Sequence, residues 1–558
     1  MPLSTMLKNF RFTALLLSLL PTLGLLGQVK SAQVQSQLLD SIALQDVPLG
    51  APGIAVGIVQ GGKISYERYG GYANLADSTR LDYRSRFNIA SNGKQFTALA
   101  VLLLIRQGKL HLDDDIRKFF PNLYPRVSTP IAVRHLLTHT SGIRDVYDLW
   151  SLQGLTWWKQ SFSNSDALAI LQRQSELNFA PGSRYLYSNS NYILLAEIVS
   201  KVSGVSFVSF TNEMFRSLGM PNTSFVDNYR IITEPIARPY FNFNTWVGYD
   251  WVTNLYGDGN LFSTLKDQLR WEQLIQSGED GGLPVGLIVQ SQQLVDTSLT
   301  REYGYGLSHG EYKGQPYRYH EGSTGAWKAT TVRFGTNDLS IVTLTNSGKT
   351  TPSQQTRQMV DLLYGIKSET KFPTSPTEVG LRLEEDEIVG VYQTQDGFTF
   401  RFIKRPDGLY LARAGRNDVR IERESANVFR QVFDKAFKQE FQRNAKGEMT
   451  VTAYYTSHAP YTLTRPQADW AGFDPSSLNG RYLNTETGVF LTIKFDTERT
   501  YQVKIGKNDR SSANLLTPNL LNFDSYNIDI QRSTTGNVSF IFMNSERSRK
   551  VRFERVPK

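Results

Sequence analysis

The segment that most constrains this chain is Phe87 to Gly108, FNIASNGKQFTALAVLLLIRQG, in which a serine and a lysine three positions apart open a long apolar run. Phe96 to Ile105 is apolar on nearly every side, which predicts a helix buried between other layers rather than one lying on a surface. Gly108 supplies its stop. Three positions is close to one helical turn, so Ser91 and Lys94 fall on one face at the helix N-terminus. There the free N–H groups and the positive end of the helix dipole favour an alkoxide and then an oxyanion. The lysine beside it can act as base if burial favours its neutral form. Taken alone, Ser-x-x-Lys equally fits a capped core helix that happens to carry a lysine.

At 558 residues the chain exceeds one core, and two to four domains are expected. Its net charge is +9, but basic and acidic residues are interleaved, with no basic block of the kind that nucleic-acid binding needs. Lys8 and Arg11 precede an apolar run from Phe12 to Leu26, and small and polar residues follow around Gln28 to Ala32. This is the pattern of a secretory signal peptide over 1–32. Pro21 and Gly24 interrupt the run, which is short for a membrane span, so no stable span is expected after processing. An uncleaved anchor is the alternative. The chain has no cysteine, and export without disulfides points to a bacterial envelope protein, periplasmic or extracellular.

Ile54 to Val59 and Lys63 to Tyr69 are β-prone runs joined by Gln60-Gly61-Gly62, a hairpin signal. From Leu110 to about Arg238 the pattern is mainly helical. Within it, Tyr187-Ser188-Asn189 lies in a polar connection before a helix opening near Asn191, and in extended chain the tyrosine and asparagine would point the same way. Strand character returns over Arg318 to Phe334 and Leu339 to Thr345. The first of these holds His320-Glu321-Gly322-Ser323, where a glycine lets a substrate approach the strand and the next N–H can point at it. His135 and His139 have i, i+4 spacing, but no Glu lies between them and Ser141-Gly142 ends the segment, so neither a metal nor a cofactor is expected.

Beyond Gly365 the composition changes over Lys367 to Thr377 to that of a linker. A weak repeat follows. Gly390-Val-Tyr392 with Gly397-Phe-Thr-Phe has a counterpart in Gly480-Arg-Tyr482 with Gly488-Val-Phe-Leu, and each copy runs on through alternating strands. The expected organisation is a signal peptide (1–32), a first globular domain (33–372) and two small antiparallel β-barrels or sandwiches in tandem (373–466 and 467–558). The terminal pair is expected to fold separately and to shape access rather than perform chemistry.

Jointly, FNIASNGKQFTALAVLLLIRQGKLHLDDDI, HLLTHTSGI, PGSRYLYSNSNYILLAEIVSKVSG, GDGNLFST and HEGSTGAWKA resemble the serine β-lactamase and penicillin-recognising hydrolase superfamily. The likeness is to its class C-like branch of D-aminopeptidases, D-alanyl carboxypeptidases and carboxylesterases. It implies an α+β fold, an antiparallel sheet flanked by helices with an all-helical subdomain and the site in the groove between them. It also implies that Ser91 is the nucleophile, Lys94 its base partner, Tyr187 a proton relay and Asn189 the holder of the substrate's acyl amide. His320-Glu321-Gly322 replaces the Lys-Thr-Gly of most β-lactamases and is similar to the form in D-aminopeptidases and related esterases, some of which carry two terminal β-domains. The N–H groups of Ser91 and Ser323 would then form an oxyanion hole.

The reading that results is an exported serine hydrolase acting through an acyl-enzyme on small D-amino-acid peptides, amides or esters. A β-lactamase or D-alanyl-D-alanine carboxypeptidase is the second reading, and a non-catalytic penicillin-binding sensor the third. Glu321 bears on the choice. If it faces the groove, its charge would repel a substrate carboxylate and weaken activity on β-lactams, whereas strand alternation allows it to point away instead.

Overall fold

Ile54–Gln60 (β1), IAVGIVQ, is buried at every position but the last, as a strand covered on both faces must be. Its side chains alternate between two cores. Ile54, Val56 and Ile58 join Leu39, Met359 and Val360 on one side, and Ala55 and Val59 join the larger core on the other. The computed structural model describes residues 34–558 apart from 233, 336–337, 366–381, 395–397, 413–417, 433–436, 455–459, 525 and 558. The predicted signal peptide and the predicted linker both fall outside the described residues.

β1 sits in a six-stranded antiparallel sheet with Lys63–Gly70 (β2), Ser308–Tyr312 (β3), Gln315–Thr324 (β4), Trp327–Phe334 (β5) and Leu339–Thr345 (β6). The spatial order is β3-β4-β5-β6-β1-β2. The strand character read over 318–334 divides at Gly325, whose φ of 54° turns β4 into β5. Chief among the helices are Lys94–Arg106 (α1), Val146–Leu152 (α2), Asn189–Ser203 (α3), Leu265–Ser277 (α4) and Pro352–Tyr364 (α5). α4 and α5 cover opposite faces of the sheet, since Leu269 lies in one core and Met359 in the other. α2 and α3, with Asn164–Gln172 and Phe207–Ser217, form the helical part expected between the two halves of the sheet.

α1 is held from behind by a buried polar cluster. Arg333 of β5 donates from Nε to Glu272 Oε2 and from Nη2 to Oε1, both at 2.7 Å, and also from Nη2 to Gln95 Oε1 at 2.7 Å. Gln95, next to Lys94, also accepts from Trp271 Nε1 at 2.8 Å. Arg333 and Glu272 are almost wholly excluded from water, so removing one charge leaves the other buried and unpaired. Glu272→Gln is expected to cost about 2–3 kcal/mol of unfolding free energy, read from the shift of a urea transition.

The repeat proves to be two closed eight-stranded antiparallel barrels, running from Gly390–Gln393 to Tyr461–Thr464 and from Gly480–Asn484 to Val551–Arg555. The matching tyrosines do the same work in each. Tyr392 Oη donates to the Ile388 carbonyl and Tyr482 Oη to the Leu478 carbonyl, both at 2.9 Å, from fully buried positions. The first barrel has its own core around Tyr392, Phe402, Phe441 and Val451.

The second barrel departs from the expectation of separate folding. Its core residues Tyr482, Leu491, Tyr501 and Ile541 are continuous with the core of the first domain. Arg144, buried in the helical part, donates to the carbonyls of Arg549 at 3.2 Å and Lys550 at 3.1 Å and pairs with Glu486 at 2.8 Å. Ser175 N donates to Glu486 Oε1 at 2.8 Å. Within its own domain the guanidinium donates to Gln174 Oε1 at 3.1 Å, and its remaining partners all lie on the barrel, so the two are held as one unit.

Candidate active site

The turn that carries Ser91 is strained and clamped. Ala90 has φ of 48°, in the left-handed region that L-residues avoid. It is held there by Asn88 Oδ1, which accepts from its N–H at 2.9 Å, while Ile89 N donates to the Leu261 carbonyl at 2.9 Å. Ser91 itself lies in a 3₁₀ turn, Ala90–Gly93, and Lys94 is the first residue of α1. The serine therefore stands one turn ahead of the α-helix proper, with its face toward Lys94 preserved.

Lys94 is wholly buried, and its Nζ donates to Ser91 Oγ at 3.0 Å, to Asn189 Oδ1 at 3.0 Å and to the Asp258 carbonyl. Tyr187 lies with its ring centroid 5.0 Å from Nζ. Asn189 is the first residue of α3 and Ser188 is its extended cap, so the helix begins two residues earlier than the sequence pattern suggests. Tyr187 and Asn189 meet Lys94 from the two sides of a helix start, not as neighbours on a strand. Asn189 is fixed by Asp145, whose Oδ2 accepts from its backbone N at 2.7 Å and from Nδ2 at 2.9 Å.

Along β4, His320 and Gly322 face the site and Glu321 and Ser323 face away. A Cβ on Gly322 would lie 2.3 Å from the Ile89 carbonyl oxygen and 3.1 Å from Ser91 N, so only glycine lets the strand approach the Ser91 turn this closely. The side chain of Ser323 is exposed, and that residue can serve the site through its backbone alone. Glu321 is exposed on the face shared with Tyr317, whose phenol its charge helps to raise. The sequence argument that Glu321 repels a substrate carboxylate does not survive this placement.

His320 Nδ1 donates to the Glu321 carbonyl at 2.8 Å and Nε2 accepts from Tyr303 Oη at 2.9 Å. Burial first, and then the charge of Lys94, hold its pKa down to about 3. His139 is likewise depressed by burial and by Lys94; its ring centroid lies 4.2 Å from that of Tyr187, the two planes tilted by 34°, and Nδ1 accepts from Ser188 N at 3.2 Å. Both imidazoles are thus neutral. The unfolded chain binds protons on them that the folded chain does not, so stability falls as pH drops below about 6.5. Asp148, raised to about 6 by burial and then by Asp145, opposes this because its folded carboxyl takes up a proton sooner than an unfolded one. For His320 alone, urea unfolding should lose about 2–3 kcal/mol between about pH 6.5 and pH 4.5. The slope should flatten in His320→Gln, even though that variant starts less stable.

Several neighbours of Lys94 escaped the sequence reading. Asp145 and Asp258 are buried carboxylates on the two sides of the site, and Tyr147 Oη donates to Asp258 Oδ2 at 3.0 Å. Burial raises the Asp258 pKa, and Lys94 and the Tyr147 hydroxyl pull it back. Asp145 directly follows the HTSGIR segment and Asp258 lies in GDGN, so their segments were visible although their roles were not. Arg547, from the second barrel, places its guanidinium carbon 5.0 Å from the Tyr187 ring centroid. No local signal at Glu546-Arg547-Ser548 marks it.

A family model described as Beta-lactamase matches residues 43–366. The chain is 27% identical over 383 residues to penicillin-binding protein 4* of Bacillus subtilis, covering 64% of this chain and 83% of that protein. It is 26% identical over 299 residues to a D-aminopeptidase of Brucella anthropi, covering 53% and 56%. Among solved structures, the octameric penicillin-binding protein homologue from Pyrococcus abyssi superposes with a TM-score of 0.55 at 23% identity, over 77% of this chain and 99% of that one. SurE superposes with a TM-score of 0.53 at 18% identity, over 78% and 100%. At those identities the two structures bear on fold alone.

Proposed function

Since the chain belongs to the beta-lactamase family of serine hydrolases, we propose that it is an exported enzyme hydrolysing D-amino-acid peptides, amides or esters, with Ser91 as its nucleophile. The observation that carries the reading is the buried Lys94 side chain, whose Nζ lies 3.0 Å from both Ser91 Oγ and Asn189 Oδ1.

In this reading Ser91 Oγ attacks the substrate carbonyl as its proton passes to the Lys94 and Tyr187 pair. The N–H groups of Ser91 and Ser323 take the oxyanion. Collapse of the tetrahedral intermediate breaks the amide or ester bond. The leaving amine or alcohol departs with the proton, and water then attacks the acyl-enzyme by the same path in reverse roles. Asn189, with its Oδ1 on Lys94 and its Nδ2 on Asp145, orients the lysine and offers an amide to the substrate's acyl side. Neutral His320 adds no charge to the groove side of β4, which suits substrates that bring a neutral ester there.

The second reading, a β-lactamase or carboxypeptidase, gains from the placement of Glu321, whose charge lies on the face of β4 away from His320 and Gly322. A panel of activated esters, D-aminoacyl anilides and a chromogenic cephalosporin separates the two. Preferred turnover of the D-aminoacyl anilides supports the proposal, and preferred opening of the cephalosporin replaces it with the second reading. Failure to turn over any activated ester would leave a binding protein.

A further inference from the structure

We infer that Arg547, a residue of the second barrel, is a positioning residue of the hydrolase site that stabilises Tyr187 in its phenolate form and so makes the terminal domain part of the proton-transfer machinery. The inference rests on the reading of Tyr187 as the proton relay to Ser91.

Tyr187 is half-buried, with charged and aromatic groups around its ring. Lys94 lies 5.0 Å from its ring centroid on the α1 side and Arg547 also 5.0 Å from the barrel side. The ring of His139 lies at 4.2 Å, and His320 and Tyr303 lie at 6.3 and 6.1 Å. The phenols of Tyr147, Tyr192 and Tyr303 are all raised well above the ordinary tyrosine range by burial first. They and the two neutral imidazoles bring no positive charge. Among the described groups around the ring, the cations are therefore Lys94 and Arg547. Lys94 cannot serve alone, because once it accepts or gives up a proton in the reaction its charge changes, whereas a guanidinium keeps its own.

Arg547 is held for this position rather than resting there. Its backbone N donates to Asp148 Oδ2 at 2.9 Å, its carbonyl accepts from Asn178 Nδ2 at 3.0 Å, and Arg549 N donates to Asn178 Oδ1 at 2.7 Å. Ser545 Oγ donates to the same Asp148 oxygen at 2.5 Å. Thus two residues of the helical part grip both sides of the loop. Burial works against the guanidinium charge, and Glu546 and Asp145 more than offset it. The Asp145 contact, at 4.0 Å, also joins Arg547 to the carboxylate that fixes Asn189.

A fixed cation beside a phenol favours the ionised form, so its loss moves proton transfer to higher pH. The test is the pH profile of kcat/KM for a p-nitrophenyl ester with full-length wild type, Arg547→Gln and Arg547→Lys, with thermal unfolding run on each. Arg547→Gln should be about tenfold slower near neutrality, with the acidic limb displaced upward by about one pH unit, and Arg547→Lys should lie between it and wild type. The loop is gripped through its backbone, so both variants should fold; should Arg547→Gln fail to, the smaller displacement in Arg547→Lys carries the test. Acidic limbs that coincide with wild type overturn the inference, even if the rate falls, because packing alone would do that. Mass spectrometry of the trapped adduct separates this failure from a deeper one. With Ser91 acylated in wild type and the limbs coincident, only the role of Arg547 falls. With no adduct on Ser91 in wild type, the proposed function falls first.

Discussion

Ser91→Ala should lose about four to six orders of magnitude in turnover of any ester the wild type cleaves, because the variant removes the atom that forms the acyl bond and leaves only binding and oxyanion stabilisation. The effect should appear in kcat rather than KM, since the hydroxyl contributes little to holding the ground state. The fold should be untouched. The strain at Ala90 and the hydrogen bond its N–H donates to Asn88 Oδ1 involve groups the substitution leaves alone, and Lys94 keeps its bonds to Asn189 and the Asp258 carbonyl. Burst kinetics and mass spectrometry with a slow acylating inhibitor read the outcome directly. A fully active alanine variant, or an adduct on another residue, would remove Ser91 from the mechanism.

Arg144→Ala should cost about 3–5 kcal/mol in a chemical denaturation transition. The guanidinium is buried and satisfies Glu486 and the carbonyls of Arg549 and Lys550 across the domain boundary. Its removal takes the cation from Glu486, which keeps only its bonds from Ser175, takes a donor from two carbonyls, and opens a cavity. The carbonyls of Arg549 and Lys550 belong to the loop that bears Arg547, so esterase activity should fall together with stability. Arg144→Lys should recover only part of either, since an ammonium cannot span three acceptors in the geometry of a fork. Stability equal to wild type in Arg144→Ala would mean that the second barrel is held by its apolar contacts alone.

Much of the candidate site was legible because the residues the fold brings together there carry local signals. Ser91 and Lys94 announce themselves by spacing at the head of an apolar helix, and Gly322 by sitting two residues from a histidine in a strand. The start of α3 was less so. Asn189 reads as part of a polar loop, and only the carboxylate of Asp145, in contact through the fold, draws its N–H into the first turn of a helix. The facing of Glu321 was open for a similar reason, because alternation gives two answers until one residue of β4 is pinned, and here Gly322 against the Ile89 carbonyl pins it. The repeated Gly-x-Tyr revealed two alike β-domains, yet their unlike roles depend on surfaces. The first keeps a core of its own, while the second spends apolar positions on a neighbour. Pattern in one chain does not distinguish a residue buried by its own domain from one buried by another.

The seating of the Arg547 loop gives the second barrel a further meaning. The strand that follows this loop, Val551–Arg555, closes the barrel by pairing with Gly480–Asn484. Contacts of such long range form late in folding. On the proposed reading, the surroundings of Ser91 are complete only when that barrel has closed, so a partly folded chain would carry the serine and lysine without their full setting, and reactivity would itself report a finished fold.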